Sequence, residues 1–131
     1  MAHLLAPSKK YLISSLLWIA IIAFLCLESP ADLPKVKIFG IDKLVHFSFH
    51  YVLTFLWFLY LFTKNINNYN NSYLRAALLL STIYGILIEL LQQILTTTRQ
   101  ADVLDVLANF TGAICAVITL KTFLCYKIIK K

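Results

Sequence analysis

Four apolar stretches, at residues 11–27, 44–62, 74–95 and 103–124, constrain this chain more than any other feature. Each falls within the range of about 17–25 residues that an α-helix needs to cross about 30 Å of hydrocarbon. Together they take up most of the 131 residues, so little chain is left for a soluble domain. Composition agrees: 60% of residues are hydrophobic and 14% charged, against about 45–50% and about 25% in soluble domains. A soluble globular enzyme, a disordered segment and a disulfide-rich secreted module are therefore excluded. The expected fold is all-α, one membrane domain over residues 1–131 built as a bundle of four transmembrane helices. Cys26, Cys115 and Cys125 lie in apolar runs without a CxxC spacing and read as small buried hydrophobes. The first stretch follows Lys9-Lys10, as a signal peptide would. Its apolar run is long for one, however, and residues 28–32 offer no small-x-small site, so an uncleaved span is expected.

Orientation follows from the Lys/Arg bias of short connections. Eight basic residues, Lys9, Lys10, Lys64, Arg75, Lys121, Lys127, Lys130 and Lys131, fall on one side of the four-span scheme. Four, Lys35, Lys37, Lys43 and Arg99, fall on the other. Both termini are expected in the cytoplasm. The basic C-terminal segment then reads as a topology anchor beside anionic lipid, and no nucleic-acid partner is expected.

Polar side chains inside spans are costly, and here they gather at one depth. Asp42, Lys43, His46 and His50 open span 2, Glu89 and Gln92 lie in the outer half of span 3, and Arg99 and Asp102 sit in the following turn. Asp105 and Asn109 open span 4. Helical spacing puts each set on one face. Asp42, His46 and His50 stand at i, i+4, i+8. Gly85, Glu89 and Gln92 stand at i, i+4, i+7, with Tyr84 at the edge. Asp102, Asp105, Asn109, Gly112 and Ala116 form the stripe of span 4. Gly112 and Ala116 also make a small-xxx-small pair suited to close helix approach. Bland readings exist for most of these residues. Asp102 and Asp105 fit an N-cap and an N3 carboxylate, Asn109 an interhelical hydrogen bond, and Lys43 a snorkelling side chain. For Glu89 the balance tips toward function over a purely structural role. With Ile86, Leu87, Ile88, Leu90 and Leu91 around it, its charge would cost about 2.5–3.5 kcal/mol unless it is paired or protonated.

Asp42-Lys43-Leu44-Val45-His46-Phe47 resembles the D-K-x-x-H-F opening of the VanZ-like membrane proteins. Tyr84-Gly85 with Glu89 and Gln92 is similar to that family's Y-G-x-x-x-E-x-x-Q helix. Arg99, Asp102, Asp105, Asn109 and Gly112 are similar to its R-x-x-D-x-x-D-x-x-x-N-x-x-G segment. The likeness runs from Asp42 to Gly112 and departs at His50, where the family more often shows Tyr or Phe. It implies a small multi-span protein of the bacterial cytoplasmic membrane. The family's namesake is associated with resistance to the glycopeptide teicoplanin.

Three functions fit these residues. A binding module would use Asp42, Lys43, His46, Tyr84, Glu89, Gln92, Arg99, Asp102, Asp105 and Asn109 to hold the headgroup of an envelope lipid or cell-wall precursor. In that module the planar fork of Arg99 would suit phosphate or carboxylate. An enzyme acting on an envelope lipid would use His46, Glu89 and Asp105 as acid/base groups. A structural protein would use the same network only to fix helix register. A zinc variant of the enzyme would draw on His46 and His50 with Glu89 or Asp42. That His pair lacks the adjoining Glu of the known zinc motif, so no metal or cofactor is assigned. Membrane lipid is an expected partner, and oligomeric state is not legible.

Overall fold

The computed structural model describes residues 7–28, 40–64, 70–96 and 102–129. These form four helices, α1 (Pro7–Leu27), α2 (Ile41–Lys64), α3 (Ser72–Leu95) and α4 (Val103–Ile129). All four are long and apolar enough to span a membrane. At about 1.5 Å per residue they run from about 32 Å for α1 to about 40 Å for α4. Each expected span lies inside its helix, and three of the helices start earlier than expected. Hydropathy marks the part that suits hydrocarbon, whereas backbone hydrogen bonding carries a helix into the polar margins. Gly40 precedes α2 at φ 77°, a left-handed conformation open to glycine, and its carbonyl accepts from the Leu44 N–H at 3.1 Å.

The helices run alternately, so α2 and α4 begin, and α1 and α3 end, at one end of the bundle. α2 packs most closely against α4, and α1 contacts α2 and α3. Two apolar clusters fill the interior. Ile22, Cys26, Leu53 and Ile88 join α1, α2 and α3, while Phe58, Leu74, Ala77 and Leu120 join α2, α3 and α4 toward the opposite end. The outward faces are apolar too: Ile83, Ile94, Val103 and Phe123 are all largely exposed. That pattern suits lipid as the surrounding solvent.

Several Ser and Thr hydroxyls within the helices bond locally. Ser15, Thr54, Thr82, Thr119 and Thr122 each donate to the carbonyl four residues back. Other polar groups tie helix to helix. Trp18 Nε1–H donates to the Phe49 carbonyl at 3.0 Å, Tyr84 Oη–H to that of Ile19 at 2.7 Å, and Gln92 Nε2–H to that of Cys26 at 2.8 Å. Tyr51 Oη–H donates to Thr119 Oγ1 at 3.2 Å. Such bonds are worth about 0.6 kcal/mol each on average in a membrane, so register depends on several acting together.

The α2–α4 crossing depends on Gly112. A β-carbon there would collide with the Phe47 carbonyl oxygen and lie 2.9 Å from its carbon. Gly112→Ala should therefore lower stability by about 1–3 kcal/mol, the usual cost of overpacking. Thr111→Ala, at an exposed neighbour, should leave it near wild type. Thermal unfolding of the detergent-solubilised variants checks both.

Candidate functional site

The ends of α2, α3 and α4 bring together most of the polar residues singled out in the sequence. Lys43, one residue into α2 from Asp42, holds the upper layer. Its Nζ lies 2.7 Å from Asp42 Oδ2, 2.8 Å from Asp102 Oδ2 and 2.9 Å from Asp105 Oδ1. The Lys43 side chain is about one-third exposed, so the clasp stands at the boundary between bundle and solvent. Asp102 also caps α4, its Oδ1 accepting from the Leu104 N–H at 2.8 Å. Asp102 and Asp105 therefore serve as the N-cap and N3 carboxylate and also carry the clasp. The Lys43 ammonium, and then the Leu104 amide, hold the Asp102 carboxyl below its usual value of 3.8. A depressed carboxyl contributes its share of stability above the ordinary carboxylate range and loses it as pH falls through the lowered value. The Asp102 arm of the clasp is therefore in place at neutral pH.

Beneath the clasp lies a buried layer. His46, Glu89 and Asn109 are each at least 95% buried. His46 Nδ1 is 3.1 Å from Asn109 Oδ1 and 3.4 Å from Glu89 Oε1, and Nε2 is 3.9 Å from Asp105 Oδ2. Asp105 thus joins the layers, one oxygen toward Lys43 and the other toward His46. Neither oxygen of Glu89 has a hydrogen-bond partner among the described residues, and Asn109 Nδ2 also lacks one. Donor atoms of His46, Glu89 and Asp105 lie within 4.8 Å of one another, the spacing of a group that could hold a metal ion. The three acid/base candidates of the sequence are thus one contiguous set.

Other expected site residues go elsewhere. Tyr84 and Gln92 make their hydrogen bonds to carbonyls of α1. His50 sits a turn deeper than His46, where Nδ1 meets Ser81 Oγ at 2.9 Å, so the zinc set built on both histidines is not assembled. Arg99 lies outside the described residues. Sequence reasoning missed Ser81, although it continues the face of Gly85 and Glu89 at i−4. It also passed over the role of Gly85. A β-carbon at Gly85 would lie 3.0 Å from His50 Cε1 and 3.1 Å from Asn109 Cβ, so glycine is what admits both side chains to α3.

The VanZ/LLP1 family model matches residues 5–126 of the chain. The chain belongs to the VanZ/LLP1 family. No curated protein and no solved structure matches it. The family match extends beyond the motif-bearing stretch from Asp42 to Gly112 into α1 and most of α4. In this VanZ/LLP1 protein, then, the resemblance and the polar cluster fall on the same three helices.

Removing Lys43 leaves three carboxylates facing one another. Lys43→Met should destabilise the protein by more than the about 1 kcal/mol of an exposed pair and by less than the about 3–5 kcal/mol of a buried one. Adding Asp105→Asn should recover part of the loss. A double-mutant cycle on melting temperature measures the coupling, and additive losses would show that the clasp does not act as a unit.

Proposed function

We propose that this VanZ/LLP1 protein resides in the bacterial cytoplasmic membrane with both termini cytoplasmic. Its polar end would face outward and bind the headgroup of an envelope lipid or lipid-linked cell-wall precursor. Through that binding it would bear on teicoplanin-type resistance, the trait associated with the family's namesake. The orientation rests on the excess of Lys and Arg at the opposite side of the four spans.

The observation that carries the binding reading is Glu89, 2% exposed with two carboxylate oxygens that accept no hydrogen bond among the described residues. A network serving only to fix register would satisfy its own buried acceptors. Glu89 instead keeps acceptor capacity directly under the clasp, which suits the hydroxyl or amine donors of a sugar or amino-acid headgroup. The interhelical bonds of Tyr51, Tyr84 and Gln92 favour a structural role for those residues, and that role is compatible with a binding site at the cluster. The contacts of His46 with Glu89 and Asp105 also supply a geometry for proton transfer, which supports an envelope-lipid-modifying enzyme as the alternative reading.

Mass spectrometry of small molecules that co-purify in mild detergent tests the binding. Wild type should carry an enriched headgroup-bearing molecule, which folded Glu89→Gln and Arg99→Ala should lose and Arg99→Lys should hold less well. Equal lipid content in all of them would overturn the reading. A reporter fused after Lys131 should work only in the cytoplasm, and periplasmic activity there would reverse the orientation.

A further inference from the structure

We propose that His46, Glu89 and Asp105 bind one divalent transition-metal cation of the Zn2+ class, with Asn109 and Lys43 as its outer partners. The three residues come from three different helices, α2, α3 and α4, and their donor atoms already lie within 4.8 Å of one another. Ligands around a tetrahedral ion with bonds of about 2.0–2.2 Å sit about 3.3 Å apart. Small side-chain rotations therefore close the site.

Independent features point the same way. Glu89 is buried, neither of its oxygens has a hydrogen-bond partner among the described residues, and Oε1 lies 3.4 Å from the His46 ring at Nδ1. With its proton on Nδ1, His46 donates to Asn109 Oδ1 at 3.1 Å. The lone pair is then on Nε2, the atom that faces Asp105 Oδ2 at 3.9 Å. A metal-bound imidazole is typically held in this manner, with its far N–H donated to a carbonyl. Asp105 is oriented in turn by Lys43 through its other oxygen.

Charge supports the assignment. Asp42, Glu89, Asp102 and Asp105 converge, and among the described residues their ion pairs with Lys or Arg are those of Lys43. A dication on a neutral imidazole and two carboxylates gives a site without net charge, which a low-dielectric surround tolerates far better than paired anions. One nitrogen and two oxygens, with no thiolate, suit Zn2+ or Mn2+ and not a soft ion. Three protein ligands also leave a position open for a water or a ligand oxygen. A phosphoryl or hydroxyl oxygen of a headgroup could take that position, an extension that rests on the binding reading above.

Full-length protein in non-ionic detergent, stripped with EDTA and freed of lipid and chelator, is dialysed against Zn2+ and its metal measured by mass spectrometry. Wild type should take up about one equivalent per chain. His46→Gln and Glu89→Gln should lose it, and Asn109→Ala should bind about 10- to 100-fold more weakly. Cys125→Ser, at an exposed position outside the cluster, should retain it. Wild type without stoichiometric metal overturns the proposal, and so does an equivalent that persists in both His46→Gln and Glu89→Gln. Should those variants fail to fold, Co2+ on wild type decides. Visible bands of a nitrogen–oxygen site uphold the proposal, and a thiolate charge-transfer band overturns it. Lipid retained without metal would overturn this proposal alone, and metal bound without lipid would overturn the headgroup reading alone.

Discussion

At the crossing of α2 and α4, the Phe47 carbonyl lies where a β-carbon of residue 112 would have to go, and only glycine leaves that place free. The rest of the polar end follows from this close approach. Once the two backbones touch there, the first turns of both helices lie side by side. Lys43 of α2 then reaches Asp102 and Asp105 of α4, and one turn deeper His46 reaches Asn109. A wider crossing would leave each of these charges alone at the edge of an apolar medium.

α3 completes the arrangement by serving two neighbours at once. Gly85 lets His50 and Asn109 come up against it, and Glu89 faces the same side. Tyr84 and Gln92 turn toward α1. Glu89 and Gln92 stand about 60° apart around the helix, near enough to look like one polar face and far enough to meet different partners. The site therefore sits between three helices, with the fourth braced against its back.

The architecture was legible in the sequence because lipid forces backbone hydrogen bonds inside each segment, so hydropathy alone locates the spans. The cluster was legible for a related reason, since ionisable side chains in apolar runs must converge or go unpaired. Neighbour identity was not legible. Helical spacing placed Tyr84 and Gln92 on the polar face, but a face does not say which helix will meet it, and they met α1. The same limit separated His46 from His50. Spacing of i, i+4 aligns them to within about 40°, yet a turn of depth sets one against Asn109 and the other against Ser81. Glu89 does meet His46, one of the few partners open to a carboxylate in that setting.

The bracing of α1 has its own consequence. α3 holds it through the main-chain carbonyls of Ile19 and Cys26, acceptors that exist whatever side chain those positions carry. Trp18 donates to the Phe49 carbonyl, but the bonds from Tyr84 and Gln92 call on no side chain of α1. An apolar helix of suitable shape can thus be rewritten at most positions without loosening the brace. The three helices that carry the charged groups have no such freedom, because their polar contacts run from side chain to side chain.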